Sequence, residues 1–305
     1  MTLMPLGEFA PSLVESCLRS NGICIAISSF VCRIRSDTGL LSEPLLRLYS
    51  SYPASIDDNL LVDFEIDVRS TLSRHGREVE FRWEGKSPFP PLPLSQTHPL
   101  FEWGLNWAIA TLSGSDIVIH SAVVEKNGVA LALPGDPGAG KSTLCAMLAL
   151  SDWRLLSDEL TIIDRQTLKV RAIPRPISLK DQSIRLIKAR FPDVYLTEPI
   201  SETRKGDIAY AKPHDQAVMD ADLQAPIGII IFPQYQADAA LEITPITKAY
   251  ALAQLLDNTF NVGLLGKEGF ADAANALSNA KCFEVTYSSF DELLPWLDAQ
   301  CLSTS

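Results

Sequence analysis

The sequence predicts a mixed α/β protein of two domains, in which an antiparallel β-hairpin leads into a glycine-rich loop and a helix. Three observations carry this prediction. Two apolar runs, residues 117–125 and 129–133, are joined by Lys126-Asn127-Gly128, and Asn-Gly between apolar runs is the strongest short-range hairpin signal. The glycine-rich segment follows at once, and residues 143–150 after it are good helix formers. A proline-rich passage around residues 88–93 separates this region from earlier alternating segments, which indicates a domain boundary.

The glycine-rich segment reads Gly-Asp-Pro-Gly-Ala-Gly-Lys-Ser and matches the phosphate-binding pattern G-x-x-x-x-G-K-[ST] over residues 135–142. Glycines let the backbone turn its N–H groups inward, and the following helix adds the partial positive charge of its N-terminus. In this pattern Lys141 reaches the β- and γ-phosphates, and the Ser142 hydroxyl binds Mg²⁺. ATP and Mg²⁺ are therefore the expected cofactors, and GTP is disfavoured because the sequence has no N-K-x-D motif. The residues predicted to bind the nucleotide are Gly135, Asp136, Pro137, Gly138, Ala139, Gly140, Lys141, Ser142 and Thr143.

A histidine precedes the loop on the first strand of the hairpin. If Asn127 and Gly128 are the two turn residues, the numbers of cross-strand partners add up to 255, which places His120 opposite Gly135. There the imidazole can contact the terminal phosphate or the acceptor hydroxyl. The alternative is a half-buried strand histidine that bonds a backbone carbonyl. Both interpretations stay open, because a shift of one residue turns the ring to the other face.

Two adjacent acids end the strand predicted at residues 153–157. A carboxylate at the end of a strand beside a phosphate-binding loop is the usual second anchor for Mg²⁺. With Asp158 and Glu159 side by side, one can hold the metal while the other takes the proton of the acceptor. The metal ligands expected are Ser142 and Asp158. The alternative is a solvated acidic turn.

Together these features resemble the catalytic domain of HPr kinase/phosphorylase, and the chain is most similar to the group of HprK-related kinase A. The resemblance implies an α/β P-loop kinase domain of HPr kinase type, with a mixed sheet and flanking helices. An antiparallel hairpin of the sheet leads into the phosphate-binding loop. The resemblance also implies transfer from ATP to a serine hydroxyl, with Asp158 preferred as the base and His120 and Arg204 stabilising or orienting the γ-phosphate. Without it, Arg204 belongs to a solvated basic loop. The chain departs from the family at Glu159, where HPr kinases carry aspartate, and an HPr-docking segment is not recognisable, so HPr is not predicted as the acceptor. Further segments that carry the resemblance are residues 101–107, 155–160, 175–180, 203–206 and 258–261.

Residues 1–98 are predicted to form a small α/β accessory domain, for dimerisation or substrate presentation, and residues 99–305 the catalytic domain. The first domain has predicted strands at 23–34, 61–68 and 78–83 and a helix at 40–49. In the aromatic helix predicted at 100–112, Trp103 and Trp107 share one face, which either lines a base pocket or packs in the core. Arg175, in a later loop, is expected to face acidic groups of a ligand.

Composition excludes several classes of function. The net charge of −11 argues against a nucleic-acid partner, because a phosphate backbone would be repelled. No apolar run approaches the ~20 residues of a membrane span. Six cysteines lie scattered without a C-x-x-C pair, as in a reduced, cytoplasmic protein.

The leading hypothesis is an ATP- and Mg²⁺-dependent kinase that phosphorylates a hydroxyl, that of a serine in a protein or peptide. The catalytic residues expected are Asp158, Glu159, His120, Lys141 and Arg204. A nucleotide-dependent switch or chaperone-like ATPase without a phosphorylated product is the second hypothesis. A degenerate binding module is the third, against which the complete loop and acid pair speak. Self-association into a homo-oligomer is left open.

Overall fold

The computed structural model describes residues 3–74, 76–203 and 206–302 as a mixed α/β protein. The chain divides into two compact units. One contains the residues up to Thr111 together with Arg175–Met219, and the other contains Leu112–Pro174 together with the residues from Asp220 onward. The first unit is thus assembled from two separate stretches of chain, whereas the sequence predicted a single boundary after residue 98.

The first unit is built on a seven-stranded sheet and a separate three-stranded sheet. The large sheet is antiparallel except where its third and fifth strands in sequence pair parallel. In order across it, the strands are β1 (Met4–Pro5), β4 (Pro53–Ser55), β2 (Ile23–Ile27), β3 (Phe30–Ser36), β5 (Phe64–Ser73), β6 (Gly76–Trp83) and β7 (Leu92–Pro93). The small sheet has the order β14 (Ile177–Lys180), β16 (Gly206–Ala211) and β15 (Ile200–Thr203). The helices are α1 (Pro11–Arg19), α2 (Ser42–Leu48), α3 (Thr97–Leu112), α5 (Gln182–Arg190) and α6 (Asp215–Met219), with short 3-10 helices at Leu6–Glu8 and Leu94–Gln96.

The prediction of one strand over residues 23–34 is wrong. The segment is a hairpin, β2 and β3, with Ile27 paired to Phe30 and Ser28 in the left-handed region at φ 54°. The turn residues are Ser28 and Ser29, and serine is a weaker turn signal than glycine, proline or asparagine, so the apolar residues on both sides read as one strand. The predicted strands near 61–68 and 78–83 and the helix near 40–49 are confirmed as β5, β6 and α2.

Helix α3 packs closely against strand β6. A Cβ atom at Gly104 would lie 2.1 Å from Cε2 of Phe81, so only glycine allows this approach. One turn further along, Trp107 makes edge-to-face contacts with Trp83 and Phe89, at centroid distances of 5.2 and 5.6 Å. Trp107 therefore packs in an aromatic cluster of the first unit.

The second unit contains a mixed six-stranded sheet and a smaller antiparallel one. In order, the large sheet consists of β11 (Arg154–Ser157), β9 (Ala122–Lys126), β10 (Val129–Leu133), β17 (Ile227–Tyr235), β19 (Lys281–Tyr287) and β18 (Glu242–Pro245). The small sheet has the order β13 (Lys169–Arg171), β12 (Leu160–Asp164) and β8 (Ile117–His120). The helices are α4 (Lys141–Ala149), α7 (Lys248–Asp257), α8 (Val262–Ala276) and α9 (Phe290–Leu302).

Strands β10, β17 and β19 run parallel, and all five residues of β10 are buried. An apolar run of this kind is typical of a central strand. Because β10, β17 and β19 are parallel, their carboxyl ends meet at one edge of the sheet, which is where ligands bind in open α/β sheets. None of the helices within the described ranges combines the length and the apolar character needed to cross a bilayer.

The hairpin formed by β9 and β10 confirms the predicted register. Lys126 pairs with Val129 and Ala122 with Leu133, so the partner numbers add up to 255 as expected. The prediction of one strand over residues 117–125 is wrong, however. The ladder ends at Ala122, the chain turns at Ser121, and the residues before it form β8 in the other sheet.

Candidate functional site

The segment from Gly135 to Gly140 connects β10 to α4 and curls through three glycines in the left-handed region. Their φ angles are 137° at Gly135, 90° at Gly138 and 92° at Gly140. Residues with a side chain rarely adopt these angles, so the shape of the loop depends on glycine. Gly140 is the N-cap of α4 and has no side chain with which to bond the first N–H groups of the helix. The loop therefore ends in a helix N-terminus suited to an anion.

Lys141 folds back over the loop that precedes it. Its Nζ donates hydrogen bonds to the carbonyl oxygens of Gly135 and Asp136, the second at 2.9 Å. The ammonium group is thereby held above the first residues of the loop, while the backbone of Lys141 begins the helix. This is the position from which a lysine can meet phosphate oxygens bound by the loop.

Two tyrosines at the ends of the parallel strands brace the loop. The N–H of Tyr235 donates to the carbonyl oxygen of Ala139 at 3.1 Å. A Cβ atom at Gly140 would lie 3.1 Å from Cβ of Tyr235 and 3.3 Å from the hydroxyl of Tyr287. The two rings contact edge to face at 5.8 Å, and burial raises the pKa of the Tyr287 phenol. Sequence reasoning did not identify these tyrosines, although both end strands that are parallel to β10.

The two acids lie in the tight connection between β11 and β12. The Ser157 hydroxyl accepts hydrogen bonds from the N–H groups of Glu159 and Leu160, at 3.4 and 3.0 Å, and so fixes the turn. Asp158 is 6% exposed, whereas the side chain of Glu159 is 29% exposed. The two neighbours therefore occupy different environments, one buried and one facing solvent.

Asp158 lies close to the helix that follows the loop. Burial, and secondly the nearby Asp158 carboxylate, raise the pKa of the Cys145 thiol, and the Cys145 Sγ also contacts the Ser157 carbonyl oxygen at 3.9 Å. Cys145 is one turn after Lys141 on α4. The end of β11 thus delivers Asp158 beside the first part of α4.

His120 is not paired with Gly135 as predicted, because the ladder of β9 and β10 ends at Ala122 and His120 lies outside it. The Ser121 N–H donates to the Ile119 carbonyl oxygen at 2.9 Å, which closes a turn and moves β8 into the small sheet. There His120 pairs with Leu160, directly after the acid pair, and its Nε2 lies 3.9 Å from Oε1 of Glu159. The structure therefore brings His120 to Glu159.

The segment after α7 holds His120 from the other side. The His120 N–H donates to the Asn258 carbonyl oxygen at 2.8 Å, and the Phe260 N–H donates to Val118 at 2.9 Å. The Phe260 ring stacks on the imidazole at 5.9 Å with an interplanar angle of 26°. Asn261 is buried and donates to the Asp116 carbonyl oxygen at 2.6 Å. This segment, one of those that carry the resemblance, pairs with β8 through a bridge between Ile119 and Thr259.

Two arginines were also predicted to face acidic groups of a ligand. Arg204 lies outside the described residues. Arg175 belongs to the first unit, where it is 3% exposed and bonds the Glu102 carboxylate at 3.1 Å and the Asn106 side chain at 2.8 Å. The expectation that Arg175 faces a ligand is therefore wrong: in this structure it neutralises a buried carboxylate.

The residues fit the nucleotide and the metal by their chemistry. A Cβ atom at Gly138 would meet nothing within 4 Å, so the mouth of the loop is open. Ser142 offers a hydroxyl in the first turn of α4, and Asp158 offers a carboxylate. Mg²⁺ prefers such oxygen donors and commonly takes only one or two from protein, with water and phosphate completing the shell. Among the described residues, no three His, Cys, Asp or Glu side chains cluster into a metal site made of protein alone.

Comparison with known proteins adds a distant match. No family model matches the chain, and no curated protein does. Among solved structures, the chain is similar to the Hpr(Ser) kinase/phosphatase from Coxiella burnetii. The match covers 61% of this chain and 94% of that one, with 11% sequence identity and a TM-score of 0.28. A match this distant leaves the function to be argued from the residues of this chain.

Proposed function

We propose that this protein is an ATP- and Mg²⁺-dependent kinase that transfers a phosphoryl group to a hydroxyl, that of a serine in a protein or peptide. The observation that carries the proposal is the 3.9 Å contact between His120 and Glu159, in the same unit as a glycine-built loop at a helix N-terminus. The loop has the form required to hold phosphates, and the acid and imidazole provide a means of activating an acceptor.

Binding of the donor falls to the loop and Lys141. The N–H groups at the start of α4 and along the loop hold the phosphate oxygens. Lys141 exchanges its bonds to the Gly135 and Asp136 carbonyls for bonds to the β- and γ-phosphates. Because positive charge is then positioned before reaction begins, the charge that develops on the transferring group is stabilised without reorganisation.

Ser142 and Asp158 are the proposed ligands of the metal. Mg²⁺ held by these two residues would neutralise negative charge on the phosphates. The burial of Asp158 suits it to this role, since a buried carboxylate is stabilised by a cation.

Glu159 is the proposed proton acceptor. The residues alone left the base open between Asp158 and Glu159, and the resemblance favoured Asp158, which would make one carboxylate both metal ligand and base. The greater exposure of Glu159 and its contact with His120 support a division of the two roles. Glu159 accepts the proton of the attacking hydroxyl, and His120 positions the carboxylate. We retain the prediction that Arg204 stabilises the charge of the γ-phosphate. The proposed compartment is the cytoplasm.

The test measures phosphoryl transfer from γ-labelled ATP to serine-containing peptides, with ADP release followed in parallel. We expect Lys141→Ala to abolish both, and Asp158→Asn to raise the Mg²⁺ concentration required. Lys169→Ala, an exposed lysine of β13, serves as the control and should retain wild-type transfer. Equal transfer by the wild type and Lys141→Ala would exclude the proposal.

An ATPase switch without a phosphorylated product is the second candidate. It is favoured by the same partly exposed Glu159, which can accept a proton from water as well as from a hydroxyl. ADP and free phosphate formed in equal amounts, at a rate unchanged by any hydroxyl compound, would identify the protein as such an ATPase.

A further inference from the structure

A cleft of about 610 Å³ opens beside the loop in the second unit. Its floor is one face of the six-stranded sheet. Because β18 and β19 pair antiparallel and β17 and β19 pair parallel, residues at alternate positions fall into register on that face. Two rows result, and five of their six members are polar: Phe232, Glu284 and Thr244 in one row, and Gln234, Thr286 and Glu242 in the next.

Helix α7 forms one wall of the cleft. Tyr250, Gln254 and Asn258 line the cleft at intervals of four residues, and this spacing places them on one face of the helix. Interaction with the Glu284 carboxylate on the floor raises the pKa of the Tyr250 phenol, so wall and floor lie close together here. The cleft is therefore lined largely by groups that form hydrogen bonds, beside the apolar Phe232, Pro233 and Val285.

The charge of the lining is negative. Asp136, Glu242 and Glu284 contribute three carboxylates, and the described residues that line the cleft include no lysine or arginine. An ammonium or guanidinium group would be attracted to these carboxylates. The volume lies within the range of sites that hold small molecules or a short piece of peptide.

The cleft adjoins the end of the loop at which transfer takes place. Gly135 and Asp136 line it, and their carbonyls are the two that Lys141 bonds, the lysine that reaches the β- and γ-phosphates in this motif. On the opposite side, the Asn258 carbonyl accepts the backbone N–H of His120. The cleft thus lies between the loop and the backbone that positions His120.

We propose that this cleft binds the phosphoryl acceptor, and that the acceptor carries an ammonium or guanidinium group close to its reacting hydroxyl. The inference rests on the proposed kinase activity and names its substrate class. In the reaction, the acceptor oxygen forms a bond to the γ-phosphorus as the bond from phosphorus to the bridging oxygen of ADP breaks. Glu159 takes the hydroxyl proton, and ADP leaves.

The test uses fluorescein-labelled hexapeptides that contain one serine and differ only in its neighbour, which is lysine, glutamine or glutamate. Binding is measured by fluorescence anisotropy without nucleotide, and transfer is measured with MgATP. We expect the lysine peptide to bind roughly fivefold more tightly than the glutamine peptide at low salt, and the glutamate peptide to bind most weakly. The preference should shrink as salt is added. It should disappear in the double variant Glu242→Gln/Glu284→Gln.

The matched control is Glu268→Gln on α8, whose side chain is 89% exposed and outside the cleft. It should retain the full preference, and melting curves establish that all variants are folded. Small amino alcohols, tested as competitors and as substrates, distinguish a peptide acceptor from a small-molecule acceptor that carries the same cationic group. Displacement of the lysine peptide by an amino alcohol that is itself phosphorylated would assign the cleft to a small molecule of the proposed class.

Failure of this inference and failure of the kinase proposal give different results. Charge-dependent binding without transfer would support the cleft and exclude the kinase. Transfer that ignores peptide charge and the double variant would support the kinase and overturn the cleft. Competition between adenosine and the lysine peptide, weakened in the double variant, would also overturn it, because the cleft would then hold the nucleoside.

Discussion

His120 Nε2 lies 3.9 Å from Glu159 Oε1 because β8 pairs with β12 and places the histidine opposite Leu160. The Phe260 ring stacks on the imidazole at 5.9 Å, and the backbone N–H of His120 donates to the Asn258 carbonyl oxygen. A carboxylate beside an imidazole that stacks on an aromatic ring resembles a base and its positioning partner.

We predict that Glu159→Gln lowers the rate of MgATP turnover by about 100-fold or more, because general bases contribute roughly 10²–10⁴ to a rate. His120→Gln, which acts through Glu159, should lower kcat less and leave KM for ATP nearly unchanged. The double variant should match Glu159→Gln alone, since residues that act as a unit are not additive. His214→Gln, an exposed histidine on the first unit, is the control. Fully multiplicative effects would show that the two residues act independently.

The loop offers a comparison of two glycines with nearly the same backbone angle. Gly138→Ala meets only the strain of φ 90°, whereas Gly140→Ala has φ 92° and also brings a Cβ atom within 3.1 Å of Tyr235. Left-handed backbone costs about 1–2 kcal/mol for an alanine. Overpacking should add about 1 kcal/mol or more at Gly140. Urea unfolding measures the difference, and equal midpoints would contradict the close packing of the loop on Tyr235.

Asp164 predicts a dependence of stability on acid pH. Burial alone would raise its pKa, but N–H groups of Thr167 and Gln166, together with Arg171, outweigh burial and hold the pKa of this carboxyl below its usual value. A lowered folded pKa stabilises the protein above the unfolded pKa of about 3.9. That stabilisation is lost as pH falls through the folded pKa. Asp164→Asn should therefore lower the free energy of unfolding at neutral pH. Its difference from the wild type should vanish as the pH approaches the pKa of Asp164 in the folded state.

Thermal unfolding between neutral pH and the acid limit of solubility measures this difference. Asp238→Asn, an exposed turn residue of the same unit at φ 60°, is the matched control. Asparagine tolerates that angle as well as aspartate does. A constant difference between Asp164→Asn and wild type at every pH would rule out the linkage.

Arg175 predicts a large effect on stability that does not arise from the candidate site. It and Glu102 are each 3% exposed and lie 3.1 Å apart, and Glu102 also accepts a bond from the Tyr49 hydroxyl at 2.9 Å. Arg175→Met would leave this carboxylate buried without its cation, at a cost of about 3–5 kcal/mol. Arg175→Met combined with Glu102→Gln should recover part of the loss. A single variant as stable as wild type would contradict the buried pair.

Local patterns in the sequence determined much of the second unit. The Asn-Gly turn fixed the register of β9 and β10, because a two-residue turn with positive φ at Asn127 and Gly128 allows only one pairing. The glycine spacing likewise predicted the strand, loop and helix from β10 to α4. These features depend on residues that are adjacent in the chain, so they can be predicted from the sequence.

Only the tertiary structure decided where His120 lies and which groups surround the loop. The apolar run through Ser121 reads as one strand. Its break depends on β12 and on the segment around Asn258, more than a hundred residues further along the chain, which pair with β8 on its two sides. The cleft likewise needs β17, β18, β19 and α7 to meet. Contacts between such distant segments are determined by side-chain packing and by the pairing of backbone hydrogen-bonding groups. Local sequence patterns do not reveal either.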